Sequence, residues 1–218
     1  MGFVLLVRGM KSISECRLYG IVDAGYVRLE DMVMMGRKLV EGGVDVLQLR
    51  AKGVELADVE RIGGELLKVT RDGGVPLVIN DHPSVAASVG SDGVHVGQED
   101  GDLAEVRRVV GGNCFVGRST HSVAQARAAM EEKADYIGFG PLYATGTKPD
   151  YVPIGLGDIA EVEGFAEVPV FCIGGVNLQT LPEVLAAGAR RVVIVSALLQ
   201  AEDVGRAVKQ VNEALRQS

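Results

Sequence analysis

Gly43-Val44-Asp45-Val46 returns in altered form as Ser91-Asp92-Gly93-Val94, Ala134-Asp135-Tyr136-Ile137 and Ala189-Arg190-Arg191-Val192, each time where a helical segment gives way to an apolar run. Between these occurrences lie Gly74-Val75-Pro76-Leu77 and Val168-Pro169-Val170-Phe171, where proline enters a strand at its first residues and no ladder donor is required. Counting outward from both patterns predicts strands at Leu18-Asp23, Val44-Arg50, Pro76-Asn80, Gly93-Val96, Cys114-Ser119, Tyr136-Gly140, Val170-Ile173 and Arg191-Val195. Each is followed by a stretch of helical periodicity, the signature of βα units around a parallel sheet. Six such strands would also make an open doubly wound sheet. Eight close a (β/α)8 TIM barrel, and no linker or low-complexity stretch divides the chain, so a single α/β domain is expected.

The 218 residues suffice to bury a full core, with 47% apolar and charges interspersed throughout. No apolar run approaches the ~18 residues of a membrane span. A net charge of -7 argues against a broad nucleic-acid-binding face, while leaving room for a local basic pocket. Cys16, Cys114 and Cys172 are odd in number, far apart and set among apolar neighbours, so they read as reduced core thiols of a cytoplasmic protein. The apolar opening, Gly2 to Val7, is shorter than a secretory core and has no basic residue ahead of it. Residues 1 to 14 are therefore set apart as an extension, with Met10 a second candidate start, and 15 to 218 form the barrel. A homodimer is compatible with the sequence.

In a barrel of this kind the polar residues at strand C-termini converge on one rim. Gln48-Leu49-Arg50-Ala51-Lys52 aims an amide and two cations there, a phosphate clamp or a solvated basic turn. Asn80-Asp81 ends an apolar run, and Asp81 either serves a site or caps the helix near Pro83. Glu99-Asp100 follows the fourth strand. Two carboxylates beside cations suit Mg2+, which prefers oxygen ligands and shares them with a bound diphosphate. His82, His95 and His121 lack zinc spacing, and a strand histidine such as His95 is more often structural. Ser119 and its neighbours could bind phosphate or cap a helix. Pro141-Pro153 is a long loop carrying Thr145, Thr147 and Lys148, without Walker spacing. Gly174-Gly175 and Val195-Ser196 follow the last two strands, where backbone amides commonly hold phosphate.

From Leu18 onward the chain resembles the thiamine phosphate synthase family. The matching pieces are Gln48-Leu49-Arg50-Ala51-Lys52, Val78-Ile79-Asn80-Asp81, Gly93-Val94-His95-Val96-Gly97-Gln98-Glu99-Asp100, Gly138-Phe139-Gly140-Pro141, Thr145-Gly146-Thr147-Lys148-Pro149-Asp150 and Ile173-Gly174-Gly175-Val176, in that order. The resemblance implies that Gln48, Arg50, Lys52, Asn80 and Ser119 hold an aminopyrimidine diphosphate and that Asp81 and Asp100 hold Mg2+. It places Thr145, Thr147, Gly175, Val195 and Ser196 around a thiazole phosphate, with Lys148 near the diphosphate, and makes Arg50, Lys52, Ser119 and Lys148 the catalytic group. The implied partners are these two small substrates. Arg118 departs from the family pattern, which has a small apolar residue there, and a similar Gly-Arg-Ser stretch occurs in thiazole tautomerase relatives, where His121 would be the acid or base. A catalytically silent ligand-binding barrel is the third reading.

Overall fold

A computed structural model of the chain describes residues 9–146 and 152–217. Strands β1 (Leu18–Asp23), β2 (Val46–Arg50), β3 (Leu77–Asn80), β4 (Gly93–Val96), β5 (Phe115–Thr120), β6 (Tyr136–Phe139), β7 (Val170–Cys172) and β8 (Val192–Ile194) alternate with helices. Each strand pairs in parallel with the next, and β8 returns to β1, so the sheet is a closed barrel and the open-sheet reading falls. The expected strands are all present, β1 and β4 with the expected ends and the others with ends shifted by at most two residues.

The helices are α1 (Met32–Gly42), α2 (Leu56–Gly73), α3 (Pro83–Val89), α4 (Leu103–Val110), α5 (Val123–Glu131), α6 (Ile159–Phe165), α7 (Leu181–Ala186), α8 (Ser196–Leu199) and α9 (Val204–Arg216). Helical spacing puts Val59, Ile62, Leu66 and Val69 of α2 on one buried stripe, and Val204, Val208, Val211 and Leu215 of α9 on another. These stripes pack against the outward residues of the strands and form the larger core. A second cluster fills the barrel itself from the inward positions: Tyr19 and Ile21, Val46, Val78, Tyr136, Phe171 and Val193. Period-two alternation separates the two sets. Gly117 makes the interior possible, because a Cβ there would lie 2.1 Å from the Tyr136 ring.

The recurring aspartates now have a physical role at the N-terminal end of the barrel. Asp45 accepts the backbone N–H groups of Arg17 and Leu18 at 2.9 and 3.0 Å, Asp92 that of Leu77 at 2.9 Å, and Asp135 that of Val116 at 2.6 Å. Each residue just ahead of an even strand thus satisfies donors at the start of the preceding odd strand, which would otherwise be left unpaired. Lys11, Arg71 and Arg107 neutralise the three carboxylates in turn. In the fourth unit the equivalent position is Arg191, which reverses the polarity and donates to the carbonyl of Ser14 at 3.0 Å. The described part of the segment set apart as an extension lies against this end, where Ser12 caps a 3-10 turn at Ile13–Glu15.

Candidate active site

At the opposite end, inward residues near the C-termini of the strands surround a cavity. Of the residues singled out from the sequence, Gln48, Arg50, Asn80, Ser119, Thr145, Gly175, Val195 and Ser196 line it together. Lys52 stands exposed in the turn after β2 and does not line it. Thr147 and Lys148 lie outside the described residues. His121 also lines the cavity, with Nδ1 against the carbonyl oxygen of Gly140.

Arg50 is held by a residue the sequence reading passed over. Asp23 ends β1 in register with Arg50 of β2, and its carboxylate lies 2.8 Å from the guanidinium while also accepting the N–H of Gly25 at 2.9 Å. A buried carboxylate fixes one side of the guanidinium and leaves its other donors available. The reading as a merely solvated basic turn therefore does not describe Arg50.

Beneath these groups runs a chain of four side-chain hydrogen bonds. Gln48 Nε2 donates to Tyr19 Oη at 2.9 Å, Tyr19 and Tyr136 hydroxyls meet at 3.0 Å, Tyr136 Oη lies 2.9 Å from His95 Nδ1, and His95 Nε2 lies 2.9 Å from Ser119 Oγ. Phe171 packs edge-on against both tyrosines, and burial pushes both phenols well above their ordinary range, so they remain neutral. Tyr19, His95 and Tyr136 were missed as site residues. The signal that could have found them was strand parity: Tyr19 shares its face of β1 with Ile21, and His95 and Tyr136 fall on the inward positions of β4 and β6.

The rim opposite Gln48 is built from backbone. Gly174 and Gly175 have φ of +98° and +69°, and a Cβ at either would come within 2.4 Å of Pro141 or 2.6 Å of Tyr143. Only glycine allows this close approach. Asn177 braces the same turn by accepting the N–H groups of Gln179 and Thr180 at 2.8 and 3.2 Å.

Asp81 and Asp100 both follow the C-terminal ends of adjacent parallel strands, β3 and β4, so they occupy the same rim; neither lines the cavity. Asp81 does not cap α3, whose N-cap is His82 with no side-chain bond. It instead takes φ +61°, a left-handed conformation costing roughly 1–2 kcal/mol for a residue with a Cβ, with its N–H on the carbonyl of His95 at 2.8 Å. Asp100 is exposed, and one of its oxygens accepts the N–H of Gly97 at 2.7 Å. Among the described residues no three His, Cys, Asp or Glu side chains gather as a metal cage.

The stretch around Ser119 resolves residue by residue. Ser119 faces the cavity, Thr120 is buried with its hydroxyl on the carbonyl of Gly138 at 3.0 Å, and the cap of α5 is Ser122. Arg118 points away from the cavity. Its guanidinium donates to the carbonyls of Gly97 and Gly101 at 2.6 and 2.9 Å and to Glu132 at 2.9 Å, so it pins the loop that carries Asp100.

A sequence model of the family described as thiamine monophosphate synthase matches residues 18–198, from the first residue of β1 into α8. The chain belongs to the thiamine monophosphate synthase family. It is 43% identical over 188 residues to a thiamine-phosphate synthase of Thermus thermophilus, covering 86% of this chain and 90% of the relative. It is 39% identical over 200 residues to that of Chloroflexus aurantiacus, covering 91% and 92%. A solved thiamine phosphate pyrophosphorylase of Pyrococcus furiosus superposes with a TM-score of 0.85 at 30% identity, over 94% of this chain and 97% of that one. The matched span of the family contains every residue of the cavity described above.

Proposed function

We infer that this barrel is a thiamine-phosphate synthase, joining an aminopyrimidine methyl diphosphate to a thiazole phosphate with release of diphosphate. The observation that carries the reading is the pairing of two unlike binding walls in one cavity. On one wall stand Gln48, Asn80, Ser119 and the Asp23-held Arg50; on the other, the glycine turn after β7 and Ser196 after β8. The first suits a flat heterocycle with an anionic group, the second a phosphate approached by backbone amides.

In the reaction the carbon–oxygen bond to diphosphate breaks, and the thiazole nitrogen lone pair forms a bond to the freed methylene carbon. Arg50, with Lys52 and Lys148, neutralises charge developing on the diphosphate, while Gln48 and Asn80 orient the pyrimidine ring. No protein nucleophile is required in this step. Asp81 and Asp100 fit Mg2+: they supply hard oxygen donors from neighbouring strands, too few for a protein cage, and leave coordination positions to water and phosphate oxygens. When bound, the ion supplies positive charge to the leaving diphosphate. Arg118 points away from the cavity, so the Gly-Arg-Ser stretch shared with the tautomerase relatives adds no cation to the site. The three cysteines are free and buried, which fits a cytoplasmic enzyme.

The reading is tested by Mg2+ titration of coupling. Asp81→Asn should lower turnover at limiting Mg2+ and recover in part at high Mg2+, with the urea midpoint nearly unchanged. An unfolded variant whose folded fraction keeps full activity would return Asp81 to a structural role.

A further inference from the structure

A serine hydroxyl hydrogen-bonded to a histidine ring, with a third group behind the ring, ordinarily reads as an activated nucleophile. Ser119, His95 and Tyr136 have that outline here, at 2.9 Å for each contact. The direction of the hydrogen bonds decides whether the outline has that meaning, and the direction is set at the far end of the chain. Gln48 turns its Nε2 donor to Tyr19 Oη. The Tyr19 hydroxyl is buried, and the other hydroxyl against it is that of Tyr136, so the Tyr19 hydrogen goes to Tyr136. Tyr136, having accepted, donates to His95 Nδ1. A ring nitrogen that accepts carries no proton, which leaves the neutral ring protonated on Nε2 and donating to Ser119 Oγ.

We propose that Tyr19, Tyr136 and His95 are positioning residues that fix the polarity of the site: His95 is held as the Nε2–H tautomer, Ser119 is a hydroxyl donor into the cavity rather than a nucleophile, and Gln48 keeps its carbonyl oxygen as an acceptor. Turning over the Gln48 amide would reverse all four bonds and make His95 Nε2 a base towards Ser119, so one buried amide selects between the two chemistries. The two ends then present an acceptor at Gln48 and a donor at Ser119 to the ligand. The ligand assignment rests on the synthase reading, in which an aminopyrimidine diphosphate offers an N–H group and acceptor atoms; the tautomer does not.

The experiment is long-range 1H–15N correlation NMR of the full chain, with His95 assigned by elimination in His82→Gln and His121→Gln. The expected result is a neutral His95 ring with its proton on Nε2 and an accepting Nδ1. In parallel, Tyr136→Phe keeps the ring but removes the relay. It should let the second tautomer appear and raise KM for the pyrimidine diphosphate on the order of tenfold, with KM for thiazole phosphate little changed. A His95 ring protonated on Nδ1 in the wild-type chain overturns the proposal whatever the enzyme's activity. Absence of coupling beside an Nε2–H ring overturns the synthase reading and leaves the tautomer standing. A Tyr136→Phe enzyme with unchanged tautomer and unchanged kinetics shows that the chain of bonds does not set the polarity.

Discussion

Asp23 and Arg50 lie opposite each other on β1 and β2, carboxylate to guanidinium at 2.8 Å, with Asp23 only 1% exposed. Removing one partner of a buried pair leaves the other uncompensated, a loss of about 3–5 kcal/mol at most, whereas removing both costs less. Asp23→Ala should therefore destabilise more than the double variant Asp23→Ala/Arg50→Ala, as read by urea denaturation. Equal losses in the single and double variants would mean that the Arg50 guanidinium left without Asp23 carries no penalty of its own. Asp23→Asn should also raise KM for the diphosphate substrate, because the guanidinium loses its fixed bearing.

The aspartates beneath even strands predict a separation of stability from activity. Asp92→Ala and Asp135→Ala each strip a partner from a strand N–H, an expected loss of about 1–3 kcal/mol. They sit at the barrel end away from the cavity, so kcat/KM of the folded enzyme should stay within about twofold of wild type, in keeping with the division of this fold between stability and catalysis. A tenfold fall in kcat/KM with an unchanged urea midpoint would contradict this division.

Arg118→Met tests the loop that Arg118 pins. The variant loses three hydrogen bonds while keeping much of the apolar stem, so stability should fall by about 2–4 kcal/mol. Coupling should become more demanding of Mg2+, because Asp100 rides on the freed loop. If the Mg2+ requirement stays fixed while catalysis is lost, Arg118 acts on the chemistry itself.

Burial pushes the thiols of Cys16, Cys114 and Cys172 up to about 12 from an ordinary 9.0. At pH 8 the folded chain should thus react with iodoacetamide roughly a thousandfold more slowly than the unfolded one, since only the thiolate attacks. The folded state holds these protons more tightly, so it binds more protons than the unfolded state between about pH 9 and 12. Stability is full below pH 9 and falls as pH rises through that window. Fast alkylation of any of the three in the native chain would contradict the burial.

What the sequence disclosed and what it withheld follow from range. Strand order, the rim position of Asp81 and Asp100, and the gathering of Gln48, Arg50, Asn80 and Ser119 depend on local alternation and on a topology that admits few alternatives. The pairing of Asp23 with Arg50 and the line from Gln48 to Ser119 depend on register across the barrel, where Tyr19 and Tyr136 are 117 positions apart. Arg118 shows the same limit in reverse: its place in a motif suggested chemistry, while one step of strand parity turned it outward to the loop at Gly97 and Gly101.

The most direct measurement is coupling by the purified full chain supplied with the aminopyrimidine diphosphate, thiazole phosphate and Mg2+. Product should appear with the mass of thiamine phosphate, in one-to-one ratio with diphosphate, and should fall sharply when Mg2+ is chelated or Lys148 is replaced by alanine. Proton exchange on a carboxylated thiazole phosphate with no diphosphate released, and abolished by His121→Ala, would contradict the account and assign the barrel to the tautomerase chemistry instead.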